Sequence, residues 1–276
     1  MAAFDIDDLI DRSGAVQIDD LDYEAAARIG VTDEEAVILR YMADTETHTI
    51  IYMRDLLAGH SVRDPDITAF LSVWVYEELW HGRAIDRVLV ASGREVPRGR
   101  AGEVAQGRSL REHIEAIGSW ALAAATHHFI PVHMAWGALN EFTAAASYTA
   151  LSRRTENPAV RVLCRRIAQQ ERKHFAFYYH QAEKRLEGSR FAQMLCGQIM
   201  QRFWDPVGDG VAGHDSLALT ARVLFNDPWA WNELERAEHR MRQLPGMGRF
   251  DRLTAKIGAL LPDGPPRTTT EHRAAS

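Results

Sequence analysis

The feature of the sequence that most constrains its fold is a set of four long helical segments, each carrying one glutamate inside an apolar stripe. The glutamates are Glu46, Glu78, Glu141 and Glu171. Their neighbours three, four and seven residues away are mostly apolar, so each carboxylate is predicted to face the core of a helical bundle. Burying an ionised carboxylate is costly, so four of them in one core require compensating positive charge.

Capping residues and prolines mark the ends of these segments. Asp64-Pro65 and Asn157-Pro158 each place a helix cap before a proline, and Pro131 divides the run that begins at Ser109. The predicted long helices run from about 33 to 58, 65 to 92, 132 to 154 and 158 to 187. Shorter helices are expected after Ser189 and after Asp215-Ser216.

The sequence shows no convincing strand pattern, so the predicted fold class is all-α: an antiparallel four-helix bundle with additional C-terminal helices. No repeat or linker divides the chain, and residues 1–261 are predicted to form one helical domain. The polar, proline-rich stretch 262–276 is predicted to be a disordered tail.

Composition excludes several classes of protein. A net charge of −6 argues against nucleic-acid binding, and two cysteines cannot build a disulfide framework. The acidic N-terminus lacks the pattern of a signal peptide, and no apolar run approaches the roughly 18 residues of a membrane span. We therefore expect a cytoplasmic protein without membrane insertion.

Two of the four glutamates have a histidine three residues later, in Glu78-Leu79-Trp80-His81 and Glu171-Arg172-Lys173-His174. Positions i and i+3 share a helix face, so both side chains of each pair can reach one site. The arginines fall on other faces, whereas two divalent cations would compensate the buried carboxylates. The predicted metal ligands are Glu46, Glu78, His81, Glu141, Glu171 and His174.

Other residues on the same faces are candidates for the surroundings of the metals. Glu77 and Gln170 each precede a ligand and are candidates to support the ligands from outside, although Glu77 lies on a flank of its helix and could instead be exposed. A substrate cavity is predicted among side chains that could equally be ordinary core residues: Met42, Met53, Trp74, Ala138, Thr143, Ala144, Ala145 and Phe175.

At these motifs the chain resembles the soluble acyl-[acyl-carrier-protein] desaturases of the ferritin-like superfamily, especially the actinobacterial type. The resemblance covers about Tyr41 to Ala182 and is carried by TETHTIIYMRDLL, SVWVYEELWHGRAIDRVLV, ALNEFTAAASYTALSRRTENP and IAQQERKHFAFYYHQAEK. It implies a ferritin-like bundle, a homodimer, and two iron ions that activate O2 to remove hydrogen from a fatty acyl chain. The implied partners are an acyl carrier protein, or a small-molecule substrate, and a ferredoxin-type electron donor.

The chain departs from that family at three positions beside an intact set of ligands. Ala144 stands where the family has threonine, Gln170 replaces an aspartate that would orient a ligand histidine, and Leu79 replaces an asparagine. Two alternatives stay open at this point. One is a di-iron oxygenase or N-oxidase acting on a small metabolite, although the extra histidine of N-oxygenases is Ile167 here. The other is a non-catalytic iron-binding protein, and manganese could replace one iron in any of them.

Overall fold

The computed structural model describes residues 5–57, 60–97 and 129–266, and these residues are helical without any β-strand. The prediction of an all-α helical bundle is confirmed. The helices are α1 (Ile6–Asp11), α2 (Tyr23–Ile29), α3 (Asp33–Leu57), α4 (Pro65–Ala91), α5 (Ile130–Arg154), α6 (Pro158–Leu186), α7 (Arg190–Phe203), α8 (Asp209–Ala212), α9 (His214–Phe225), α10 (Pro228–Arg242) and α11 (Arg252–Gly258), with a 3-10 helix at His60–Arg63.

The four long helices form two hairpins. Helices α5 and α6 are joined by three residues, Thr155–Asn157, and pack along their length, while α3 packs against α4. Helix α4 also contacts α6, which brings the hairpins together around one continuous apolar core. The C-terminal helices cover one side of this bundle, because α9 lies against α3 and both α7 and α10 lie against α5. None of the helices in the described ranges has the length and hydrophobicity to cross a membrane.

The predicted helix boundaries agree closely with those of the structure. Helices α4 and α6 each end one residue before the predicted end, and α5 begins at Ile130 rather than Val132; α3 is helical to Leu57, and its predicted end at residue 58 lies outside the described residues. Pro131 therefore lies in the first turn of α5, where its missing N–H removes no helical hydrogen bond. The predicted helical run from Ser109 to residue 128 and the tail beyond residue 266 lie outside the described residues.

Asn157 joins three helices at one end of the bundle. Its Oδ1 accepts from the N–H groups of Ala159 at 3.1 Å and Val160 at 3.3 Å, which caps α6. Its Nδ2 donates to the carbonyl of Gly30 at 2.8 Å and approaches the hydroxyl of Ser92 at 3.3 Å. The side chain is 1% exposed, so water cannot replace these bonds.

We expect Asn157→Ala to lower the free energy of unfolding by about 3 kcal/mol, because it removes a cap and leaves buried polar groups unsatisfied. The matched control is Asp227→Ala, which removes the partly exposed cap of α10 and should cost only about 1 kcal/mol. Asn157→Asp keeps the cap oxygen but loses the Nδ2 donor. Its loss in the free energy of unfolding should lie between those of the two alanine variants. Urea denaturation of the three variants measures the order; equal losses for both alanine variants would contradict it.

Candidate metal centre

The structure brings the six predicted ligands together inside the bundle. Their ligand atoms form two groups, Glu46, Glu78, His81 and Glu171 on one side and Glu78, Glu141, Glu171 and His174 on the other, with the atoms of each group within 4.8 Å of one another. Glu78 and Glu171 belong to both groups. All six residues are buried, with at most 6% of each exposed.

The two imidazoles turn the same nitrogen toward the carboxylates. His81 Nδ1 lies 3.2 Å from Glu171 Oε1 and 3.4 Å from Glu46 Oε2. His174 Nδ1 lies 3.2 Å from Glu171 Oε2 and 3.5 Å from Glu141 Oε2. Each Glu-x-x-His pair therefore acts from a single helix face, as the spacing predicts, and Glu171 contacts both histidines through different oxygens.

The outer nitrogens of the histidines bind the two supporting residues. His174 Nε2 lies 2.6 Å from Glu77 Oε2, and His81 Nε2 lies 2.9 Å from Gln170 Oε1. Gln170 Nε2 donates to Glu77 Oε1 at 2.7 Å, so one chain of hydrogen bonds connects the two imidazoles. Glu77 is 1% exposed, so it is a further buried carboxylate, which lies outside the six-residue cluster.

This chain of hydrogen bonds fixes the orientation of each imidazole. Gln170 Nε2 lies 2.7 Å from the carbonyl oxygen of Gly14 and 2.7 Å from Glu77 Oε1. Both partners are acceptors, so the NH2 group must face them and the amide oxygen must face His81. His81 Nε2 and, opposite Glu77, His174 Nε2 are therefore the N–H donors. That assignment leaves both Nδ1 atoms available as ligands.

The departure at Gln170 thus preserves the contact that the resemblance suggested was lost. Its amide oxygen accepts from His81 as a carboxylate would, but without a negative charge. Glu77 supplies the one outer carboxylate. It accepts from the Gly14 N–H at 2.8 Å as well as from Gln170 and His174.

Glu46 and Glu141 each belong to only one of the two groups, and an aromatic side chain holds each of them. Trp74 Nε1 donates to Glu141 Oε1 at 3.0 Å, and the Tyr148 hydroxyl makes a short hydrogen bond to Glu46 Oε1. Burial raises the pKa of Tyr148 well above its usual value, and the charge of Glu46 raises it further. Tyr148 therefore remains a neutral donor that restrains one oxygen of Glu46.

Without metals, the cluster retains protons. Burial raises the pKa of Glu78 and Glu141 well above the usual range for a carboxyl, and neighbouring glutamate charges add to the effect. Burial alone would lower the pKa of His81 and His174, but hydrogen bonds to the glutamates raise both well above the usual value. The positive charge that the carboxylates require is thus supplied by protons on the imidazoles.

The donor set fits two divalent cations. Glu78 Oε1 and Glu171 Oε1 are buried and form no hydrogen bond of normal geometry within the described part of the chain. Four carboxylates and two imidazoles provide oxygen and nitrogen ligands of the kind that iron and manganese take. The ions would replace the Nδ1 protons and would coordinate these two oxygens.

A cavity of about 260 Å³ adjoins the cluster. Of the predicted cavity residues, Met42, Trp74, Thr143 and Ala144 line it. The C-terminal helices and the segment before them supply a further wall, made of Trp204, Pro206, Val207, Leu217, Phe225 and Ile257. Gly137 also lines the cavity; a Cβ there would come within 2.6 Å of the Tyr178 ring, so glycine permits this close packing.

Three of the predicted cavity residues do not line the cavity. Ala138 and Ala145 are buried, but each follows a lining residue of α5 by one position and is rotated by about 100° from it. Phe175 instead packs its ring against Phe142, with the centroids 4.9 Å apart. Met53 falls in the part of α3 whose side chains lie outside the description.

Sequence reasoning missed three contributors to the centre. Tyr148 is seven residues after Glu141, so the helical spacing placed it on the right face without revealing its bond to Glu46. No pattern in the sequence indicated Gly14, because its carbonyl contacts Gln170 across a separation of 156 residues. The wall formed by α9 and α11 likewise depends on tertiary packing.

Comparison with known proteins adds no assignment, since no protein-family model and no curated protein matches the chain.

We expect Gln170→Ala to weaken metal binding by about 10- to 100-fold, because His81 loses the acceptor that orients it. Gln169 is the neighbouring exposed residue, and Gln169→Ala is the matched control with unchanged affinity. Competition with a chelator under anaerobic conditions measures both constants. Equal affinities for the two variants would show that the amide does not position the ligand.

We also expect the affinity for divalent metal to rise with pH through the neutral range. The raised pKa values of His81 and His174 mean that each Nδ1 still carries a proton above the ordinary imidazole value of about 6.5. A metal must displace these protons, so lower pH favours the metal-free form. Chelator competition at about pH 6 and about pH 8, on either side of that value, should show tighter binding at the higher pH; a constant affinity would contradict it.

Proposed function

We propose that the protein is a di-iron, O2-dependent oxidase related to the acyl-carrier-protein desaturases, which removes hydrogen from a fatty acyl or similar carrier-bound chain. The observation that supports this proposal is the pair of ligand groups sharing Glu78 and Glu171 beside a cavity of about 260 Å³. A storage or structural metal site would need no such cavity.

The roles of the chain's own residues follow from their positions. Glu78 and Glu171 would bind both ions, Glu46 and His81 one of them, and Glu141 and His174 the other. When bound, a pair of ferrous ions would supply the oxidising equivalents from O2. Glu77 and Gln170 orient the imidazoles, and the buried setting excludes water that would otherwise compete for the site.

The cavity favours an uncharged substrate segment. Among the described residues that line it there is no lysine or arginine, and its carboxylates belong to the metal ligands. A free carboxylate or phosphate would therefore lack a permanently charged partner among them. A chain held as a thioester on a carrier protein is neutral along its length, which agrees with an acyl carrier protein as partner. The ferredoxin-type electron donor, the homodimer and the cytoplasmic location stay predictions.

The alternatives differ from this proposal in what the centre does with O2. An N-oxygenase of the kind with an extra histidine ligand is disfavoured, because the corresponding residue, Ile167, is fully buried among apolar side chains. His133 does not replace it, since its Nδ1 lies 3.4 Å from the Ser61 hydroxyl and it belongs to neither ligand group. Metal analysis and product analysis distinguish the remaining two alternatives, which are oxygenation of another substrate and binding of iron without catalysis.

Anaerobic loading with Fe(II) should give about two irons per chain, one for each ligand group. Glu141→Ala should lose the iron of its group, whereas Glu187→Ala, an exposed glutamate just after α6, should keep both. Metal analysis after gel filtration measures the ratio. A wild-type value near zero, or full loading of Glu141→Ala, would contradict the metal assignment.

Reduced, iron-loaded protein should then be exposed to O2 together with acyl carriers, free acids or amines, and the products examined by mass spectrometry. Desaturation removes two hydrogen atoms from the substrate, and this loss is the expected result with an acyl carrier. Addition of an oxygen atom would replace the proposal with an oxygenase. Consumption of O2 without any change in the added molecules would favour the non-catalytic alternative.

A further inference from the structure

The size of the cavity limits what the proposed enzyme can enclose. An engineered protein cavity of about 150 Å³ accommodates benzene, with its six carbon atoms. On the same scale, the cavity of about 260 Å³ beside the metal centre has space for about ten non-hydrogen atoms. A chain of sixteen or eighteen carbons would exceed this space by more than half.

The polar groups of the cavity wall also restrict the occupant. The hydroxyls of Thr45, Thr143 and Thr220 each donate to a carbonyl one turn earlier in their own helix, at 3.0, 2.8 and 2.7 Å. Their hydrogens are therefore engaged, and the cavity meets oxygen atoms that can only accept. An anionic group would find no lysine or arginine among the described lining residues, whereas methylene groups need no countercharge.

The wall opposite the metal ligands comes from the C-terminal helices. Leu217, Ala221 and Phe225 project from one face of α9 at intervals of four residues, and all three line the cavity. None of them is more than 6% exposed, so this wall is fixed by packing. Its side chains determine how far a chain that starts beside the glutamates can extend.

We infer that the substrate segment enclosed beside the metal centre is an uncharged acyl chain of medium length, about eight to ten carbons, and that the α9 wall sets this limit. The inference rests on the proposed function for the site, but it concerns chain length and can be tested by binding alone. Long acyl chains would have to leave part of their length outside the cavity.

The test uses full-length protein loaded with Fe(II) and titrated calorimetrically without O2. The probes are N-acetylcysteamine thioesters of hexanoic, octanoic, decanoic, dodecanoic and hexadecanoic acids. Affinity should rise by about fourfold for each methylene that enters the cavity and then stop rising near ten carbons. A steady rise through the hexadecanoyl probe, equal affinity for every length, or no binding would each overturn the inference.

Two variants move the limit in opposite directions. Ala221→Phe fills part of the cavity, so the affinity should stop rising at least two carbons earlier. Leu217→Ala removes part of the wall, so the rise should continue at least two carbons further. Leu195→Ala, on α7 and outside the cavity lining, should leave the limit unchanged. If Ala221→Phe does not fold, Leu217→Ala alone decides, and an unchanged limit in it would contradict the role of α9.

These results separate the inference from the proposed function. A length limit without any reaction of the bound chain with O2 would overturn the oxidase and leave the binding limit standing. Desaturation of acyl chains without a length limit would support the oxidase and overturn the limit on chain length.

Discussion

Four buried carboxylates in one helical core are the constraint on which the rest of this structure depends. Charges of the same sign repel one another strongly where water is absent, so the bundle can close only if cations or protons enter with them. In the metal-free protein His81 and His174 carry those protons, and their Nδ1 atoms lie between the glutamates. The same positions suit the metal ions that we propose the centre binds.

The residues outside the cluster determine how precisely it is held. Gln170 is oriented by two acceptors and therefore presents its oxygen to His81. Glu77 accepts from three donors, one of them the backbone of Gly14. A neutral amide and a buried carboxylate thus share the task of fixing two imidazoles. Because Gly14 lies in the N-terminal segment, the docking of that segment on the bundle is part of the construction of the site.

The sequence predicted the long helices and the six clustered residues well, because both depend on local rules. Cap-and-proline pairs such as Asp64-Pro65 act over a few residues, and the spacing of Glu78 and His81 fixes their common face. Phe175 and Ala138 were misplaced because helical periodicity states which face a residue occupies but not which neighbour it meets. The contacts of Gly14, Tyr148 and α9 arise between distant parts of the chain, and no single-sequence pattern encodes them.

The hydrogen bonds that connect His81, Gln170, Glu77 and His174 mean that the two halves of the centre are not mechanically separate. Gln170 and Glu77 join the two imidazoles, so a shift of either imidazole displaces side chains that also hold the other imidazole. Any ion that stiffens one half therefore lowers the conformational cost of ordering the second, and by reciprocity the second stabilises the first. If the two ions that we propose bind here, each would therefore favour the binding of the other through this shared chain of hydrogen bonds.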